Sequence, residues 1–249
     1  RSLKPVDSAR QAAKPATPHP SFAGYWRFQG YKSHLTPIEQ RILRDDTGEV
    51  PPLLPWAKKI YDERIDLQRH GQAWADSQSY CLPAGMPRVM FGSGYPMQIV
   101  QQADMLMIIF EPINEFRYVF IDKPLQVDYP TWRGESVARW DGDALVVHTA
   151  GMNDRTTLDK VGMPHSEDIE SDERIRLLDR DTLEIQVTVT DPKTFSRPWT
   201  KRTTYKRMAE QRGIAEFVCL ENQRHAPDAN GLSDLQLPTV GGEAAPAGK

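Results

Sequence analysis

The sequence predicts a mainly β fold: an antiparallel up-and-down barrel, or a strongly curved sheet, with two helices packed outside it near the N-terminus. Three observations carry this. From residue 97 onward, short apolar runs are separated by polar turns at strand-like spacing. Asp141-Gly142-Asp143 lies between two such runs, and Asp-Gly favours a tight hairpin because glycine tolerates positive φ. Leu183, Ile185, Val187 and Val189 alternate with Glu184, Gln186, Thr188 and Thr190, the pattern of a strand with one dry face and one wet face.

The elements follow in chain order. Phe22-Ala23-Gly24-Tyr25-Trp26 begins the ordered part as an aromatic anchor. Thr36-Pro37 reads as a helix start, with Thr at the N-cap and Pro at the first helical position, and predicts a helix near 37–44. A second helix is predicted near 55–70, where Trp56, Ile60 and Leu67 recur at helical spacing with Ala57 and Tyr61 beside them. The strands predicted next are Met97–Gln102, Met105–Glu111, Phe116–Ile121, Ser136–Trp140, Ala144–Thr149, Glu173–Leu178, Leu183–Thr190, Lys201–Arg207 and Glu216–Leu220. Met105–Phe110 is apolar at every position, which predicts a strand that is central or covered on both sides. Eight or nine consecutive strands must deal with their edges, and closing the sheet does so. A two-sheet sandwich is the alternative.

Residues 21–226 form one domain in this reading, because no linker-like stretch interrupts them. Residues 1–20 and 227–249, rich in Ala, Pro and Gly or Lys, read as a disordered arm and tail. The arm is like the tether left after signal cleavage and points to a periplasmic or secreted protein, although a trimmed chain would start the same way. No apolar run approaches the ~20 residues of a membrane-spanning helix. The net charge of −3 and scattered Lys and Arg argue against nucleic acid as a partner. Cys81 and Cys219 are either one disulfide between the middle of the chain and its end, or two buried thiols.

No phosphate-cradling loop, dinucleotide fingerprint, Cys-x-x-Cys pair, His-Glu-x-x-His or nucleophile elbow is present. No cofactor is expected. The partner expected is a small molecule, and the oligomeric state is not legible. The candidate chemistry is concentrated between Trp140 and Glu173. His148 shares a strand face with Val146, as a structural histidine or as a titratable group facing a pocket. His165 and Glu167, two apart, fall on one side of an extended segment, as an acid–base pair, a loop-stabilising network or, with His148, a metal site. Glu173 either joins a salt-bridged strand face with Arg174 and Arg176, or is buried against an arginine. Arg88, in the constrained loop 81–88, holds a carboxylate or satisfies loop carbonyls. Asp154 and Arg155 belong to the polar loop at the predicted barrel mouth, and Tyr95 and Tyr129 are candidate pocket aromatics beside Trp132 and Trp199.

Several motifs fall in a fixed order. They are Trp132-x-Gly134-x-Ser136, Trp140-x-Gly142-Asp143-x-Leu145-Val146-Val147-x-Thr149, His165-Ser166-Glu167, Glu173-Arg174, Asp191-Pro192 and Pro198-Trp199. With Cys81-x-Pro83-x-Gly85-x-Pro87-Arg88 and Cys219-x-Glu221-Asn222, they resemble a widespread bacterial family of predicted secreted proteins, over about residues 80–222. The resemblance implies export and a β-rich fold, and no particular activity. It also implies an acidic residue where this chain has His148, a departure that either specialises this member or is neutral drift on an exposed face.

Three functions fit these residues. The first is a cofactor-free lyase, isomerase or cyclase acting on a small apolar or aromatic molecule, with His148 and His165 as acid and base, Glu167 or Glu173 orienting them, and Arg88 or Arg155 holding an anionic group. The second is a non-catalytic, lipocalin-like binder of a hydrophobic ligand. The third is a metal-assisted hydrolase using His148, His165 and Glu167.

Overall fold

A computed structural model describes residues 19–30, 38–72, 76–92, 94–211 and 213–219. Nine strands close into a barrel in sequence order: β1 Gly24–Phe28, β2 Met97–Gln101, β3 Met105–Phe110, β4 Glu115–Ile121, β5 Glu135–Asp141, β6 Ala144–Ala150, β7 Glu170–Asp179, β8 Thr182–Thr190 and β9 Trp199–Arg207. One α-helix, α1 (Pro55–Arg69), lies outside the strands.

The predicted barrel is therefore present, with two differences in its strands. The aromatic segment expected as an anchor is itself β1, which pairs with β2 on one side and β9 on the other and so closes the ring. Residues 216–219 form no strand, and Cys219 is instead disulfide-bonded to Cys81. The up-and-down order also fails once. Every neighbouring pair is antiparallel except β4 and β5, which run parallel. An odd number of strands cannot alternate direction all the way round a ring, so one parallel pair is a topological necessity. Residues 122–134 carry the chain back along the barrel to allow it.

The hairpins form where the turn chemistry places them. Gly142 has φ +60 between β5 and β6. At the β7–β8 turn, Asp179 accepts from the Asp181 amide and the Thr182 hydroxyl, both at 2.7 Å. Leu183, Ile185, Val187 and Val189 are fully buried, as their alternation predicts.

Of the two predicted helices, only the second is present. At Ile38–Ile42 the described residues make a single turn, closed by the Arg41 amide on the Ile38 carbonyl at 2.9 Å; residue 37 lies outside the described set. Pro55 opens α1 as expected, but its buried face is Ala57 and Tyr61, while Trp56 and Leu67 are exposed. The reason is a specific anchor. Asp159 accepts the Tyr61 hydroxyl and the Leu43 amide on one oxygen, and the amides of Val161, Gly162 and Met163 on the other. That network selects the helix face, and burial beside Asp159 pushes the Tyr61 phenol far above its usual range. Of the predicted arm, residues 1–18 lie outside the described set, as does the tail 227–249. His19 stacks on Trp140 at 4.3 Å, and the Pro20 carbonyl accepts from Gln101, so the end of the arm is packed on the barrel.

Side chains fill the lumen. Trp26, Met97, Ile99, Leu106, Ile108, Leu145, Ile175 and Ile185 are all buried. One mouth is plugged by residues 85–92, with Met86, Met90 and Phe91 buried and the Tyr205 hydroxyl donating to the Met90 carbonyl. Glu115 holds the start of this plug by accepting from the Ala84 and Gly85 amides.

Candidate functional site

The sequence-predicted residues do not converge. His148 lies on the outer face of β6, partly exposed, with Nδ1 2.9 Å from Asp172 Oδ1. Its pairing partner across the β6–β7 ladder is Asp172, whereas Glu173 opposes Val147 and points the other way, into the lumen. His165 is buried behind loop 151–169: Nδ1 meets the Ser166 carbonyl at 3.0 Å and Nε2 meets Thr156 Oγ1 at 2.7 Å. Nδ1 is the nitrogen that donates, so Nε2 accepts the threonine proton. Burial pushes the His165 pKa down, with Ser166, Asp191 and Asp154 opposing weakly. Of the predicted group, only Asp154 is electrostatically close to it. Glu167 and Arg155 are exposed.

The remaining candidates are structural or solvent-facing. Arg88 does hold a carboxylate, but an internal one: its two terminal nitrogens sit 2.7 and 2.6 Å from the oxygens of Asp76. Tyr95 packs edge-on against Phe217, and Tyr129 is 71 % exposed, so neither lines a shared pocket with the histidines. No group of three or more His, Cys, Asp or Glu among the described residues is arranged to hold a metal. The weakest of the three readings, metal-assisted hydrolysis, needs His148, His165 and Glu167 together, and the structure gives them separate partners and surroundings.

Glu173 fulfils the second of its two sequence readings. It is fully buried against Arg117, which sequence reasoning did not single out. Arg117 Nη1 donates to Glu173 Oε2 at 2.9 Å, while Nη2 stands 2.8 Å from Oε1 and donates to Thr149 Oγ1 at 2.8 Å. Nε donates to Ser136 Oγ at 3.0 Å. Since β5 and β6 lie between β4 and β7, this ion pair crosses the lumen. Phe116-Arg117-Tyr118 reads as an ordinary polar-apolar alternation. The only available signal was that the aromatic residues fell on one parity and the charge on the other.

The cleft that the structure offers lies at the parallel seam. β4 and β5 pair only at Phe120–Val137 and Ile121–Ala138. Toward the start of β4 they part, opening a cleft of about 290 Å³. Its wall carries the outward aromatics of β4. Phe116 and Tyr118 have ring centroids 5.5 Å apart, and Tyr118 and Phe120 stack at 6.2 Å. Trp132, Arg133 and Glu135 line the other side, and Arg117 and Ser136 form the floor. The 131–134 segment is held in place by its backbone. Thr131 donates to the Gly151 carbonyl and accepts from the Asn153 amide, and Gly134, at φ +63, presses on the Ala150 carbonyl where a Cβ would come within 2.4 Å. Glycine is required there for both reasons. Arg133 then reaches back over β4, donating from Nη1 to the Phe116 carbonyl with its guanidinium 4.4 Å above the Phe116 ring.

A larger cleft of about 470 Å³ lies beside α1, with Arg41, Gln68, Asp76 and Lys160 among its walls. Its lining residues are polar or charged apart from Gly71, and it is assigned no role.

No protein-family model matches the chain, and no curated protein does. Among solved structures, the chain is similar to two point mutants of the fluorescent protein UnaG. The mutant carrying glutamine in place of an asparagine is 13% identical, covering 76% of this chain and 97% of that one with a TM-score of 0.33. The mutant carrying alanine at the same asparagine is 15% identical, covering 46% and 72% with a TM-score of 0.29. Similarity this low adds nothing to the reading of the site, which rests on the geometry above.

Proposed function

We propose that the protein is a non-catalytic binder of a small, largely apolar aromatic molecule, held in the wall cleft between β4 and β5. The observation that carries this is the cleft itself: a concavity of about 290 Å³ walled by Phe116, Tyr118, Phe120 and Trp132. Ligand sites are concave and mostly apolar, with a few polar groups, and span roughly 300–1,000 Å³. A cleft at the bottom of that range suits one or two fused rings. The acid–base reading has less support, because a base must reach the proton it removes. His165 is buried against Thr156, His148 is outside the barrel, and Glu173 is neutralised by Arg117. The Cys81–Cys219 bond supports a periplasmic or secreted location, since disulfides persist mainly in oxidising compartments.

The test is a calorimetric titration with naphthalene-2-carboxamide, a neutral two-ring probe. One saturable site is expected. Tyr118→Ser should weaken it by about 0.5–1.5 kcal/mol, the range of one aromatic pair. Absence of saturable binding, or binding indifferent to Tyr118, would remove the reading.

A further inference from the structure

We propose that Arg133 selects for an acidic group on the aromatic ligand, a carboxylate or a sulfonate; this rests on the cleft being the binding site. Arg133 is pre-positioned. Its Nη1 is committed to the Phe116 carbonyl and its plane rests on the Phe116 ring, so the guanidinium is held at the end of the aromatic wall. Yet its charge is not consumed there. Among the described residues no carboxylate forms an ion pair with Arg133, and no group accepts a hydrogen bond from its Nε or Nη2.

The other groups around the cleft sharpen the assignment. Arg117 lines the same space but has its donors engaged by Glu173, Ser136 and Thr149. Glu115 is the acid whose field Arg133 feels. It is buried, both its oxygens accept amide protons, and burial pushes its pKa up. Glu135 also lines the cleft and has no partner among the described residues. It is the built-in competitor for Arg133. A guanidinium presents a planar fork that matches a carboxylate or sulfonate, and a charge-assisted bond of this kind is about twice as strong as a neutral one. A ligand whose ring lies along Tyr118 and Phe120 would bring such a group to that fork, in competition with Glu135.

The experiment compares naphthalene-2-carboxylate with naphthalene-2-carboxamide on the full chain by calorimetry at neutral pH. The carboxylate is expected to bind about tenfold more tightly than the amide, the low end for a charged partner at a half-exposed site. Arg133→Gln should abolish that preference, costing the carboxylate about tenfold more affinity than it costs the amide, and Glu135→Gln should enlarge the preference. Circular dichroism checks that each variant is folded, and the wild-type comparison needs no variant. Equal affinity of the two probes for the wild type would overturn the selectivity while leaving the cleft as an aromatic site. An equal loss of both probes in Arg133→Gln would reduce Arg133 to a packing role. Failure of both probes to bind would overturn the cleft reading and this inference together.

Discussion

The outer surface of the barrel is built in two ways. Across β7, β8 and β9 it is a polar lattice. Arg174 pairs with Asp141 at 2.6 Å, Arg176 with Glu184 at 2.7 Å, Arg202 donates to Gln186 at 2.9 Å, and Thr188 meets Thr200 at 2.9 Å. Across β2, β3 and β4 the same outward positions carry Val100, Met105, Met107, Ile109, Phe116, Tyr118 and Phe120, all at least partly exposed. Of the two readings of Met105–Phe110, central or covered on both sides, the structure has the first: β3 is paired on both edges, by β2 and β4, and its outward Met105, Met107 and Ile109 are only half-buried. A wet sheet face has no need of aromatics, and contiguous exposed apolar surface marks an interaction site. The apolar half also borders the parallel seam, where the ladder is shortest. The difference teaches that the apolar outer face borders the place where the fold leaves its wall incompletely paired, while the polar lattice lies where the ladders are long.

The contrast can be broken or sharpened by experiment. The largest effect should come from the pair that ties the seam strand to the charged half. Arg117→Met leaves Glu173 buried without its partner and should cost about 3–5 kcal/mol in denaturant unfolding, whereas Arg117→Met combined with Glu173→Leu should recover most of that loss. Equal stability of the single and double variants would show that the ion pair does not hold the two halves together.

Next is the disulfide, which ties the chain beyond β9 to the loop that leads into the plug. Its partners are separated by 138 residues. Replacing both cysteines with alanine should cost about 2–5 kcal/mol through the freed unfolded chain. Calorimetric melting of the reduced and oxidised protein is an independent check.

His165 then sets a pH dependence. Its folded pKa lies below the ordinary 6.5, so the unfolded chain takes up the proton first. The stability contributed by neutral His165 is complete above about pH 6.5 and is lost as pH falls through that value toward the lowered folded one. His165→Asn should flatten this part of the profile; an unchanged slope would assign it to other groups.

The smallest effects belong to the two outer faces themselves. Arg174→Ala should change stability by no more than about 0.5 kcal/mol, as exposed ion pairs do. Tyr118→Thr should be equally mild in unfolding yet reduce fluorescence of a bound anilinonaphthalene sulfonate dye. If Arg174→Ala alters dye binding as much as Tyr118→Thr, the two faces are not functionally distinct.

What was legible in the sequence was what depends on near neighbours along the chain. The alternation of Leu183–Thr190, the Asp-Gly turn at 141–143 and the proline start at Pro55 are local signals, and each led to the element it implied. Closure of many short strands followed from the cost of open edges. Burial of Glu173 was one of two readings the sequence left open, and its partner was not legible, because Arg117 lies 56 residues away and its neighbours Phe116 and Tyr118 look like any half-buried strand. The aromatic run at 22–26 was legible as packed but not as β1, since five residues without a turn on either side do not announce a pairing partner. The helix face of α1 went to Ala57 and Tyr61 because Asp159, 98 residues from Tyr61, holds it there.

The sequence by itself determined that the chain is a β structure with one dry and one wet face over most of its strands, because side chains alternate with a period of two whatever the fold. Only the tertiary structure decided where the obligatory parallel pair of a nine-strand ring would fall, and so where the wall would part. That choice depends on strand direction summed round the whole barrel, a quantity no local window of residues contains.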